Sequence, residues 1–211
     1  MRTFLGILIT VCLGINLHAQ DFKNFLKDKN AETYWLGIDY SQMVFVGEGF
    51  ENINENEGGD KSLLKDRFFD SWNDVVVNEE KRYDWAKAFK KNKIENAIAS
   101  TKKRNKNANL NAIFVSDLQK LGKAKVENYI KNLSFDKNTG YGILIIMESM
   151  DKSKELGTYY LAIINLSNKK ILHTEYFEEK AGGFGFRNYW IKPVHFGITK
   201  IQKTLYKQWL K

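Results

Sequence analysis

The sequence predicts a single α/β (α+β) domain: one mixed β-sheet of about five strands, helices packed mainly on one face, and an amphipathic helix at the C-terminus. Three observations predict it. YGILIIMES, Tyr141 to Ser149, is a nearly continuous apolar run, as a strand covered on both faces requires. LGTYYLAIINLSNKKILHTEYFEE reads as an antiparallel hairpin, with strands over Gly157–Asn165 and Lys170–Phe177 and with Ser167 and Asn168 at the turn. In YWIKPVHFGITKIQKTLYKQWLK, Ile191, Val194, Ile198, Ile201 and Leu205 recur at three- and four-residue spacing while the lysines fall elsewhere, which draws one apolar stripe along a helix. Pro193 is expected in the first turn of that helix, where its missing N–H costs no internal hydrogen bond.

The elements before these follow in chain order. Residues 1–20, MRTFLGILITVCLGINLHAQ, have the outline of a signal peptide: Arg2, an apolar stretch from Phe4 to Leu17, and a small residue at Ala19. Gly6, Gly14 and Asn16 interrupt the stretch, which falls short of the ~20 residues of a spanning helix. Cleavage is expected after Ala19 or one residue further on, leaving 21–211 as one exported domain, periplasmic or secreted. TYWLGIDYSQMVFVG, Thr33 to Gly47, is rich in β-branched and aromatic residues and predicts a strand. ENINENEGGD, Glu51 to Asp60, predicts a loop. Ser62 is placed as the N-cap of a helix whose buried face is Leu64, Phe68, Trp72 and Val75 or Val76. A second helix is expected from Glu79 to Lys91, resuming through Ile94, Ala97 and Ile98; then a short strand over Asn109–Asp117 and a helix over Leu118–Leu133, carrying Leu121, Val126, Tyr129, Ile130 and Leu133 and broken early by Gly122.

Composition removes several kinds of chemistry. Cys12 is the only cysteine and falls within the leader, so the mature chain has no disulfide, thiol nucleophile or cysteine-built metal site. Cys12 also follows Val11, whereas a lipoprotein signal places a small residue before its cysteine. The formal charge of +8 becomes +7 once Arg2 is removed, which favours anionic partners. Lysine and asparagine crowd together in KKNKIENAIASTKKRNKNANLNA, Lys90 to Ala112, without the aromatic interleaving of an RNA-binding surface or the spacing of a zinc finger. Nucleic acid is therefore not expected; peripheral contact of Lys87 to Lys106 with an anionic membrane surface is compatible with the charge.

The most site-like segment is AGGFGFRNYW, Ala181 to Trp190. Gly183 and Gly185 supply the first G-x-G of a dinucleotide fingerprint, but Asn188 replaces its third glycine and no strand with an acidic residue follows. No glycine–lysine–Ser/Thr triplet makes it a phosphate loop either. Two readings stay open: a corner in which glycines allow positive φ and Asn188 caps the helix, or an anion site formed by backbone amides and Arg187. His173 and His195 have no metal-ligand spacing, and no serine stands in a nucleophile motif, so no metal, cofactor or catalytic residue is assigned. Asp39 in LGIDYS and Glu148 in IMESM interrupt apolar strands; each needs solvent or a cation such as Arg187.

The leader ending HAQ, the Lys and Asn richness and AGGFGFRNYW resemble secreted proteins of Bacteroidota, and no activity comes with that resemblance. The element order, with INLSNKKILHTE joining two antiparallel strands, is similar to small envelope α/β domains of the TolB amino-terminal and lipoprotein type across most of Thr33 to Lys211. The resemblance implies a binding or assembly role in the periplasm and brings no catalytic motif; the chain departs from the lipoprotein members in having no acylated cysteine. The expected function is a non-catalytic envelope module for a partner protein or an anionic ligand, with Arg187, Asn188, Gly183, Gly185, Asp39 and Glu148 as candidate ligand-binding residues. The alternative is a hydrolase in which Asp39, Glu148 and Arg187 share one cleft.

Overall fold

A computed structural model describes residues 20–47 and 62–211. The central strand is β5 (Tyr141–Asp151), the apolar run of the sequence. Along one side it pairs in parallel with β1 (Thr33–Asp39) over Tyr141–Ile146 and then with β2 (Val44–Val46) over Ser149–Asp151. Beyond these lie the two-residue strands β3 (Glu95–Asn96) and β4 (Phe114–Val115), on β1 and β2 respectively. On its other side β5 pairs antiparallel with β6 (Leu156–Asn165), which pairs antiparallel with β7 (Lys170–Lys180), so the sheet is mixed.

Alternation along the strands sorts side chains into two apolar layers. Ile143, Ile145 and Met147 of β5 join Trp35, Tyr159, Leu161 and Phe177 in the larger one. That layer is closed by helix α1 (20–27), by α2 (Phe69–Asn78) and by the short α3 (Trp85–Ala88). Leu144, Ile146, Tyr160 and Ala162 face the other way, under Val126 and Ile130 of a single helix. Helices thus lie mainly on one face. Between these two layers α4 (Ala99–Lys106) lies against β1 and α2, and the helix on the smaller face is α5 (Lys123–Lys131). The C-terminal helix runs from α6 (Phe186–Lys200) through a π-helical stretch, Ile201–Leu205, into α7 (Tyr206–Leu210).

Several elements differ from expectation for local reasons. The strand expected over Thr33–Gly47 is interrupted at 40–43, because the Asp39 carboxylate accepts from the Ser41 amide at 2.9 Å and the Met43 amide turns back to the Tyr40 carbonyl at 3.1 Å. The helix expected over Glu79–Lys91 shrinks to α3. Asp84 caps its start by accepting from the Lys87 amide, and Lys90, at φ 52°, ends it while the Lys91 amide reaches back to the Ala86 carbonyl at 2.8 Å. The chain then forms β3 where a resumed helix was expected. Ser62 already lies within the helix that leads through a π-helical stretch, Leu64–Phe68, into α2; the faces expected for α2 and α5 are the buried ones. The loop expected over Glu51–Asp60 lies outside the described residues.

Pro193 is inside α6 and not in its first turn. Lacking an N–H, it leaves the Tyr189 carbonyl open, and the Gly182 amide donates to that carbonyl at 3.1 Å. The proline ring packs where Gly157 of β6 has no side chain; a Cβ there would meet Pro193 Cγ at 2.6 Å.

Candidate functional site

The edge of β1 beyond β3 is bonded by side chains in place of a strand. The Ile38 amide donates to Asn73 Oδ1 at 2.8 Å, and the Ile38 carbonyl accepts from Asn73 Nδ2 at 3.0 Å and Asn105 Nδ2 at 2.9 Å. The Tyr40 amide donates to Asn105 Oδ1 at 2.7 Å, and Thr101 Oγ1 donates to the Leu36 carbonyl at 2.5 Å. All three side chains are buried. They lock α2 and α4 to the strand edge, and the lock sets the position of Arg104, the residue before Asn105.

Arg104 Nε donates to Asp39 Oδ2 at 2.8 Å. Its other nitrogens reach the Ser134 carbonyl at 2.9 Å and Thr101 Oγ1 at 2.7 Å. Asp39, fully buried at the end of β1, also accepts from Ser41 Oγ at 2.6 Å and from the Tyr129 hydroxyl of α5 at 3.0 Å. Burial and the Asp39 charge push the Tyr129 hydroxyl up to about 12, so it stays protonated and serves as a donor. Above this pair, between α4 and α5, lies a groove of about 490 Å³ lined by Lys103, Arg104, Asn107, Tyr129, Asn132 and Ser41 among others; among the described residues no carboxylate is part of the lining, although Asp136 accepts from the hydroxyl of Ser100, which is. It opens beyond the carboxyl end of a parallel strand, where open α/β sheets characteristically take ligands.

Glu148 occupies a bulge in β5, between Met147 and Ser149 in the pairing with β6. It is buried and accepts from the Leu121 amide at 2.7 Å, from Thr158 Oγ1 at 3.0 Å and from the Tyr176 hydroxyl at 2.9 Å. Burial, with the Glu148 charge second, holds the Tyr176 hydroxyl well above its ordinary range. Asp39 and Glu148 both draw partners from the α5 side of the sheet, yet among the described residues no hydrogen bond joins the two carboxylates.

Arg187 belongs elsewhere. It is exposed in the first turn of α6, its carbonyl accepts from Trp72 Nε1 at 2.9 Å in the larger core layer, and its own Nε donates to Asn188 Oδ1 at 3.2 Å. The cation beside Asp39 is therefore Arg104 and not Arg187. Sequence reading passed over Arg104 because it stands among lysines; its signal was the spacing of Thr101, Arg104, Asn105 and Ala108 on one helical face.

The glycine segment is a corner: Gly183 and Gly185 have φ of 116° and 79°, and Gly185 is the N-cap residue of α6, with no side-chain cap. Asn188 lies inside the helix and does not cap it. Phe184, at the tip, is 95% exposed. His173 stacks on Phe22 at 4.3 Å and meets Glu175 at 3.2 Å. His195 Nδ1 donates to the Arg82 carbonyl at 2.9 Å, and burial lowers its pKa. Among the described residues, no group of three His, Cys, Asp or Glu side chains is placed to hold a metal ion. Likewise, no helix among them is long and apolar enough to cross a membrane. No protein-family model matches the chain, and no curated protein matches it.

Proposed function

We propose that the protein is an exported, non-catalytic envelope module that binds an anionic group, of a small ligand or of a partner protein, in the groove between α4 and α5. The observation that carries the reading is the lining of that groove, which has Lys103 and Arg104 but no carboxylate. Arg104 is already paired with Asp39, so Lys103, with hydroxyl and amide groups beside it, is what this lining offers to an anion. The dispersal of Asp39, Glu148 and Arg187 speaks for binding over hydrolysis. Each carboxylate is held by structural donors, Asp39 by Arg104 and Ser41, and Glu148 by the Leu121 amide. The apolar stretch of residues 1–20 and the resemblance in element order to periplasmic binding domains support the envelope setting.

The test is an NMR titration of the mature chain with inorganic phosphate and with succinate. Saturable shifts at the amides of Lys103, Asn107 and Asn132, lost in Lys103→Glu, are the expected result. Shifts confined to 183–188, or no saturable shift, would remove the groove as the site.

A further inference from the structure

Three of the hydroxyl groups on residues that line the α4–α5 groove have no proton left for a ligand. Ser41 Oγ donates to Asp39 Oδ1 at 2.6 Å, and Ser100 Oγ donates to Asp136 Oδ1 at 2.6 Å. The Tyr129 hydroxyl lies 2.7 Å from Ser41 Oγ and 3.0 Å from Asp39 Oδ2, so its proton stays inside the same cluster. A hydroxyl carries one proton and two lone pairs, and each of these three commits its proton to a neighbour within the protein. Whatever part of these oxygens a ligand reaches can only accept. Asn107 and Asn132 add acceptors to the lining. Each Nδ2 donates to a helix carbonyl, of Lys103 at 3.0 Å and of Asn128 at 2.8 Å, while the two Oδ1 atoms have no partner among the described residues. Each Arg104 nitrogen already donates to a protein acceptor. The groove therefore combines one uncommitted cation, Lys103, with a row of acceptors, and an anion alone uses only the first.

We propose that the groove binds an anion that also carries several hydroxyl groups, the chemistry shared by sugar acids and sugar phosphates. The inference rests on the anion reading of this groove and names the rest of the ligand. Lys103 takes the charged group, with the second amide N–H of Asn107 or Asn132 beside it, and the ligand's hydroxyl groups donate to the oxygens of Ser41, Ser100 and Tyr129. An ammonium group also donates to such acceptors. The Arg104 guanidinium lines the same groove, however, and repels a second cation, so neutral donors fit better. Size points the same way. A groove of about 490 Å³ falls within the range of roughly 300–1,000 Å³ that holds a whole small molecule, and a bare anion leaves most of it to water.

The experiment is isothermal titration of the mature protein with two matched pairs, glucose-6-phosphate against inorganic phosphate and glucuronate against acetate, and with glycine as a zwitterion. At least one hydroxylated anion is expected to bind about tenfold more tightly than its bare partner, and the two pairs tell a phosphate source from a carboxylate one. Tyr129→Phe removes one acceptor oxygen and is expected to lower that affinity ratio about threefold. Ser41→Ala removes another and is expected to do the same, which keeps the test alive should one variant fail to fold. Ratios near one in the parent protein overturn this inference and leave the anion reading standing, whereas no saturable binding of any anion removes both. A ratio that neither variant moves also overturns it. So does glycine binding more tightly than either hydroxylated anion, which assigns the acceptors to an ammonium group.

Discussion

Arg104 and Asp39 form an ion pair at 2.8 Å in which the carboxylate is wholly buried and the arginine partly so, with side-chain exposures of 0% and 18%. The pair joins the end of β1 to α4 across a separation of 65 residues in the chain. Removing only the cation leaves an uncompensated charge in the interior, so Arg104→Met is expected to destabilise the fold by about 3–5 kcal/mol. The double variant Asp39→Asn with Arg104→Met should recover much of that loss. Urea unfolding of the three proteins checks it; equal stabilities for wild type and Arg104→Met would show that the pair is not coupled to the fold.

The asparagines on the edge of β1 act as surrogate backbone. Asn73→Ala strips the Ile38 amide of its acceptor, and Asn105→Ala does the same to the Tyr40 amide. Each substitution should cost about 1–3 kcal/mol and speed hydrogen exchange at the amide it orphans more than elsewhere in the strand. Gly37→Ala tests the same seam from the other side. With φ at +96° and a Cβ that would fall 2.8 Å from Asn73 Oδ1, alanine there should destabilise by about 1–3 kcal/mol.

Pro193 inside α6 is tolerated because the carbonyl it releases is used by Gly182. Pro193→Ala restores a helical donor that competes for the Tyr189 carbonyl. Exchange at the Gly182 amide should accelerate markedly while overall stability changes by less than about 2 kcal/mol, since one hydrogen bond replaces another. A Gly182 amide as protected in the variant as in the parent would refute this account of the corner.

Lys91 gives the fold a pH dependence of unusual sign. Its ammonium donates to the Phe25 carbonyl and, at 2.7 Å, to the Asp28 carbonyl, closing the end of α1, and burial lowers its pKa from 10.5 to about 8. Between these values the unfolded chain binds more protons than the folded one, so stability should rise from pH 8 toward 10.5, by on the order of 2–3 kcal/mol. Buried Tyr40, Tyr159, Tyr83 and Tyr129 have hydroxyls held above their ordinary 10.0, which makes the folded form the better proton binder above that pH and turns the curve downward. Denaturation followed from pH 7 to 11 should show the maximum, and Lys91→Met should abolish the rising limb.

Elements whose pattern is contiguous were legible from sequence. β5, the β6–β7 hairpin and the buried faces of α2 and α5 declare themselves through runs or periods that need no distant partner. Features that depend on contacts across the chain were not. The break after Asp39 reflects a carboxylate folded back on Ser41, and the depth of Pro193 in α6 reflects an acceptor role that only the Gly182 corner reveals. The candidate site divides in the same way. Asp39 and Glu148 stood out as acids within apolar strands, whereas Arg104, hidden among lysines, emerges only when the layers are assembled.

Amide side chains standing where another strand would pair have a consequence for self-association. A bare sheet border is a template on which a second chain can dock and then a third. Here Asn73, Asn105 and Thr101 occupy the sockets of β1, and they are covalently part of two helices that block approach along that rim. From Leu36 to Tyr40 the backbone groups that a docking chain would need are already taken by the molecule's own helices.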